Sequence, residues 1–555
     1  MKMNIICKGM TALAIAVSAS ACTAGYIDIN RNPYGVTDDE MQRDGYAVKA
    51  ALTGMMNGVI SPDLNTAQFT EVLLGCALSG YLAQAKDGWN NVTIANYNAE
   101  DDWTNVFMAS DRIIPVIYAN YRTLQNVTDD PVILAVGEII KVVAMHRVTD
   151  TYGPIPYSKI GQNGEINVPY DSQEDVYKKM FEELNAAIET LASNRTNNFS
   201  ASADVIYGGN VEKWIKFANS LKLRLAMRIC YADSDLSKQM ADEAINDEVG
   251  LMTSNEDNAA FSYWGVVGNT LRASIRYNLA THSDHSICTT ESGDSHAAAD
   301  IICYMNGYDD PRRPMYFTKT EFPNASDEYV GLRHGIQVPD HGNVGHQYSG
   351  VYFTSETAPA YWMNAAEVQF LLAEAAAFNE KGGISYNVSG TAQSYYEQGV
   401  RLSFEQYGVQ GVETYLQCTS VPTTYTDPNG GNYSYSTQIS TITPKWNPAA
   451  DFPEMQERII TQKWIANWLI GNEAWADWRR TGYPRLIPAA YFTQKHGVTN
   501  AVTGARRMPY PETEKSSNSA NYEAGVALLG GSGDNMVTRL WFDCNPNHPD
   551  YPGQN

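Results

Sequence analysis

The sequence is short of basic residues. Its 555 residues carry 39 Lys and Arg against 62 Asp and Glu, a formal net charge of −23. That balance speaks against nucleic acid as a partner, because gripping phosphates needs a clustered basic face. It speaks equally against docking on anionic lipid. After the first two dozen residues no apolar run reaches the ~18 residues that a helical membrane span needs. Eight cysteines are present, none in a C-x-x-C pair, so zinc-ribbon and thioredoxin readings fail. G-x-S-x-G, H-E-x-x-H, Walker and G-x-G-x-x-G motifs are all missing, which removes the enzyme classes that depend on them.

What is present begins with apolar mass. Hydrophobic residues make up 44% of the chain, with 35 Tyr, 11 Trp and 15 Phe, enough for a large core lined by rings. The N-terminus places Lys2 and Lys8 before the small apolar run Thr11–Ala21, followed by Cys22. This reads as an export signal over residues 1–21, with Cys22 as a bacterial lipoprotein lipidation site. The branched residue usual three places before the cysteine is replaced by Ala19, and the alternative is an ordinary exported protein. Residues 22–38, rich in Asn, Pro and Gly, read as a lipid-anchored tether, and 39–555 as one domain. Among the remaining cysteines buried free thiols are expected, with Cys288 and Cys303 the pair nearest in sequence.

Helical periodicity is expected over about 39–57, 67–85, 103–124 and 131–148. It is clearest after Ser172, where Val176, Met180, Phe181, Leu184, Ala187, Ile188 and Leu191 share one face. Ser172 with Asp175 forms a capping box. Residues 212–229 put Trp214, Phe217, Leu221 and Leu225 inward, with Lys213, Lys216, Lys222, Arg224 and Arg228 expected outward. A Gly-, Asn- and aromatic-rich stretch at about 253–359 reads as long loops with short strands. Helices resume at 361–378, 392–407 and 454–469, and the last 60 or so residues read as irregular. The fold expected is mainly α, with tetratricopeptide-like helix pairs, long irregular loops and a few short strands.

Five blocks carry a family resemblance: Ile29–Pro33, Asp150–Tyr157, Tyr308–Pro314, Tyr361–Ala377, and Ile460–Trp464 leading into Asn472–Pro484. In these the chain resembles the SusD/RagB family of nutrient-binding outer-membrane lipoproteins. The resemblance implies a lipid-anchored cell-surface protein without catalytic activity. It would capture oligosaccharides, or in some members peptides, and deliver them to a SusC-type TonB-dependent transporter. The residues of the blocks themselves read as scaffold: Trp475, Trp478, Arg479 and Arg480 as a buried aromatic and ion-pair seam, Arg312 and Arg313 as partners of nearby acids.

Sugar recognition needs flat rings beside amides and guanidinium groups, and two loops offer that mixture. One holds Trp89, Asn90 and Tyr97; the other holds Tyr263, Trp264, Asn269 and Arg272, with Tyr277 beyond. These eight are the candidate ligand-binding residues. His282 and His285 form an H-x-x-H without a third ligand, and the loop histidines, among them His296, His334, His341 and His346, are expected at the surface. The acidic clusters Glu100-Asp101-Asp102 and Asp309-Asp310 lack a calcium-loop pattern. Neither metal nor cofactor is expected. A glycoside hydrolase, needing only two carboxylates, stands as the alternative from another class.

Overall fold

In the computed structural model the described residues are 45–61, 64–84, 96–98, 105, 107–108, 113–161, 167–261, 295–337, 344–353 and 358–549. Helix α1 is Tyr46–Val59, and α2 (64–78) contains a π-helical stretch, Gln68–Gly75. Gly80, at φ +75°, ends this run and turns the chain into strand β1, Leu82–Gln84, so the helix expected as far as 85 stops short. Helix α3 is Ile113–Val127 and α4 is Pro131–Tyr152. Asp130 caps α4 by accepting from Val132 N at 2.9 Å, and Pro131 opens it. Gly153, at φ +89°, closes it, four residues later than the periodicity predicts.

A two-residue ladder of β2 (Ile155–Pro156) and β3 (Tyr170–Asp171) leads to α5, Gln173–Ser193. Its predicted cap is present: Ser172 Oγ accepts from Asp175 N at 3.1 Å. Then come α6 (Val211–Arg228) and α7 (Ser234–Ile245). Helices α3 to α7 pack each against the next, the antiparallel pairing expected of a tetratricopeptide-like scaffold. The stretch at about 253–359 holds β4 (Ala259–Phe261), β5 (Ser295–Ala297) and helix α8, Ala299–Gly307. Strand β6 (Ala360–Met363) precedes α9, Ala365–Ala377. Every residue of α9 is buried, and α10 (Ala392–Gln406) reaches it closely because Gly399 has no Cβ to meet the Phe370 ring. Helices α11 (Phe452–Ala466) and α12 (Gly471–Thr481) follow. Helices Glu512–Ser517 and Ser519–Leu529 lie in the C-terminal segment read as irregular. Residues 50–555 form one compact unit; the residues before them lie almost wholly outside the described set.

The outward placement of the α6 cations is corrected. Lys222, Arg224 and Arg228 are buried, because α6 is covered by α5, α7 and α9 and has no free face there. Arg224 clamps Glu367 of α9 through two 2.7 Å bonds. Arg228 binds Glu473, Asp477 at 3.1 Å and Asp150 at 3.3 Å. Lys463 of α11 reaches Asp477 at 2.7 Å and Glu473 at 3.0 Å, and Arg480 binds Glu374 at 2.7 Å. These contacts tie α4, α6, α9, α11 and α12 into one ionic spine. Arg479 lies flat on Trp475, its guanidinium carbon 3.6 Å from the ring centroid. The seam read from the last family block is therefore in place. So is the turn at Asp310, where Arg312 takes both carboxylate oxygens at 3.0 and 2.6 Å and Arg313 pairs with Asp309.

Candidate functional site

Two ladders hold the ends of the candidate loops. Strand β1 pairs antiparallel with β5, placing Gln84 opposite Ser295. The chain holding Trp89 leaves from Gln84, and the stretch holding Trp264 returns at Ser295, so the two are rooted side by side. The other end of the second stretch is Phe261, which pairs with Ala360 of β6. Of the eight predicted residues only Tyr97 is described. Trp89, Asn90, Tyr263, Trp264, Asn269, Arg272 and Tyr277 lie outside the described residues, as do Cys22, Cys288, His282, His285, His341 and the Glu100–Asp102 cluster.

The far root of the Trp89 loop is pinned at Asn96, whose carbonyl accepts from Thr493 N at 2.9 Å and whose amide donates to Tyr491 O at 3.3 Å. Tyr97 follows with φ +59°, a left-handed conformation that non-glycine residues rarely adopt. Its hydroxyl donates to Ala501 O at 3.3 Å, and its ring meets Phe492 edge-on. Tyr97 is largely buried, on the wall of a cavity of about 180 Å3 that also involves Trp478, Tyr435, Arg485, Asp300 and His334.

Two polar side chains of this cavity, Asp300 and His334, have atoms without hydrogen-bond partners. Asp300 Oδ1 accepts from Ile487 N at 2.6 Å, while Oδ2 has no hydrogen bond. His334 Nε2 stands 4.0 Å from that free oxygen, too far to bond, and neither ring nitrogen has a partner. Burial pushes the Asp300 carboxyl up to about 7. Burial, with Arg333 nearby, pushes the His334 ring down to about 4. Between those values both are neutral. With aromatic walls, a neutral Asp300–His334 pair and the Arg485 guanidinium as a donor, the cavity suits the hydroxyl groups of a sugar. Asp300 is the sole carboxylate on its wall among the described residues, whereas hydrolysis by an acid and base pair needs two.

Two expectations about polar residues are corrected here. His296 and His334 are not surface histidines: His296 sits in β5 with Nδ1 3.2 Å from Tyr348 O, and His334 is enclosed with Asp300. No cluster able to hold a metal ion is present among the described residues. Cys76, Cys230 and Cys303 are buried free thiols, with Cys303 pushed up to about 12 by burial. Asp300, Tyr435 and Arg485 were not legible as site residues, since nothing in their local sequence marks them.

A family model described as SusD-like, the SusD and RagB outer membrane lipoproteins, matches residues 28–543. The chain belongs to the SusD/RagB family. A SusD homologue of Bacteroides uniformis is 51% identical, with 90% of this chain and 100% of that one aligned at a TM-score of 0.83. One from Bacteroides ovatus is 39% identical at 0.80, covering 90% of this chain and 100% of that one. A chitin-binding SusD homologue from Flavobacterium johnsoniae is 33% identical at 0.78, covering 91% and 100%. No curated protein matches. The family is one of outer membrane lipoproteins, and no helix among the described residues of this SusD-like chain is long and apolar enough to cross a membrane.

Proposed function

We propose that this SusD-like protein is a cell-surface, lipid-anchored binder of oligosaccharides that hands them to a SusC-type TonB-dependent transporter in the outer membrane. Cys22 carries the lipid, after removal of residues 1–21, and 22–38 serve as tether to a single domain spanning 39–555. The ligand is held by the Trp89 and Trp264 loops, with Trp89, Asn90, Tyr97, Tyr263, Trp264, Asn269, Arg272 and Tyr277 as contacts. The observation that carries this reading is the pairing of Gln84 with Ser295, which starts both loops from neighbouring positions. The chitin-binding relative supports a glycan over a peptide. Binding without turnover is what the family leads one to expect.

Panels of neutral oligosaccharides and of peptides, assayed for binding and for released product, test the reading. Glycan binding without product supports it. Peptide binding alone, or sugar release, overturns it. Purification from native membranes in mild detergent is expected to bring down a large β-barrel, and Cys22→Ala to abolish acyl labelling and membrane retention.

A further inference from the structure

A second cavity, of about 320 Å3, lies among Ile60, Val143, Met315, Trp362, Tyr407 and Trp468, and shares no lining residue with the Tyr97 cavity. Tyr352 and Tyr361, both partly exposed, stand on its wall, while Trp362, Trp468 and His146 are buried. Its charged lining residues are already matched. Glu71 pairs with Arg147, and Arg224 lies 3.6 Å from Glu473 while clamping Glu367. Burial, with Arg224 nearby, pushes His146 down to about 3, so the ring is neutral. An ion entering here would leave water and find no countercharge free to receive it.

Three buried polar atoms on the wall lack partners: Gln406 Nε2, Trp362 Nε1 and Asn472 Oδ1. Trp362 is 4% exposed, and its indole Nε1–H makes no hydrogen bond. Asn472 is 8% exposed. Its amide N–H groups go to Thr70 O at 2.9 Å and Glu71 Oε2 at 3.1 Å, while its Oδ1 accepts nothing. Buried polar groups are nearly always bonded, and two orphan donors and an orphan acceptor on one cavity wall require a common explanation. Leu469, on the same wall, holds its backbone at φ +68°, a conformation a bulky residue seldom takes.

We infer that this cavity is a second binding site, for one neutral hydroxylated ring: a free monosaccharide or the end residue of a glycan. The aromatic walls cover the apolar faces of such a ring, Trp362 donates to one of its oxygens, and a hydroxyl donates to Asn472. The site's described lining shares no residue with the Tyr97 cavity, so the two sites are tested separately.

The test soaks crystals of the mature protein with a panel of neutral hexoses and N-acetylhexosamines, and separately with neutral oligosaccharides. The expected result is one pyranose bonded to Trp362 Nε1 and Asn472 Oδ1. Occupancy by the monosaccharide identifies free sugar as the ligand, and occupancy only by the oligosaccharide identifies an end residue. In solution, binding shifts tryptophan fluorescence. Trp362→Phe, which keeps a ring but removes the donor, weakens it at least five-fold, whereas Leu528→Ala, an exposed change outside both cavity walls, leaves it unchanged. Ordered water alone in the cavity across both panels overturns the inference, and so does unaltered affinity in a folded Trp362→Phe protein. If that variant does not fold, the soaked crystals decide.

Discussion

Asp477 in the ionic spine and Asp300 beside the Tyr97 cavity are both almost wholly buried, yet they respond to burial in opposite ways. Burial acts to raise each carboxyl. In the spine Lys463, Arg228 and Arg480 overcome it and hold Asp477 below the usual carboxylate range, and Glu473 beside it is lowered in the same manner. Asp300 has no cation in contact, so burial wins and its carboxyl rises to about 7. The difference separates two uses of buried polarity. The spine spends its charges on one another and fixes helices in place. The cavities keep polar atoms without partners, which suits a surface waiting for a neutral ligand.

The largest effect is expected where the spine is broken. Arg228→Ala leaves Asp150, Glu473 and Asp477 short of a shared cation, and removing one partner from a buried pair costs about 3–5 kcal/mol. Chemical denaturation should show that loss. A change below ~1 kcal/mol would mean that water reaches the spine and that the contrast with Asp300 is false.

A smaller effect sharpens the other half of the comparison. Asp300 has a raised carboxyl in the fold, so its contribution is complete below the ordinary value of ~3.9 and is lost as pH rises toward about 7. His334 has a depressed ring, so its contribution is present above ~6.5 and is lost as pH falls toward about 4. The two slopes oppose each other in nearly the same window. His334→Gln should therefore unmask stability that falls from pH 4 to 7, and Asp300→Asn stability that rises across it, each by ~1–3 kcal/mol. Slopes of the same sign in both variants would show that the pair is ionised and bonded.

The smallest effect is a calibration away from both regions. Ser172→Ala removes the acceptor for Asp175 N at the start of α5 and should cost about 1 kcal/mol. Thermal unfolding measures it, and ligand affinity should not change.

The helices were legible because their signals are local. Ser172 and Asp175 are three residues apart, and the apolar face of α5 repeats every turn. The helices of the C-terminal segment are not legible because Ser519, Asn521 and Glu523 stand two apart rather than on one helical face, and Ser519–Leu529 buries only Gly525. The inward turn of Arg224 and Arg228 was hidden for another reason. A cation reads as outward until its partner is known, and Glu367 and Glu473 stand far along the chain. The site was legible only as composition. Rings beside amides mark the Trp89 and Trp264 loops, but Asp300 meets His334 across two connections that no spacing reveals.

The most direct test of the account is calorimetric titration of the mature protein, Trp89→Ala and Trp264→Ala with a neutral oligosaccharide that the parent binds. Stacking and a few hydrogen bonds on an open surface predict a parent Kd of roughly 10 µM to 1 mM. Trp89→Ala is predicted to weaken binding by ten-fold or more, about 1.4 kcal/mol, with the circular dichroism spectrum unchanged. Parent-like affinity in both variants would contradict the placement of the glycan on these loops.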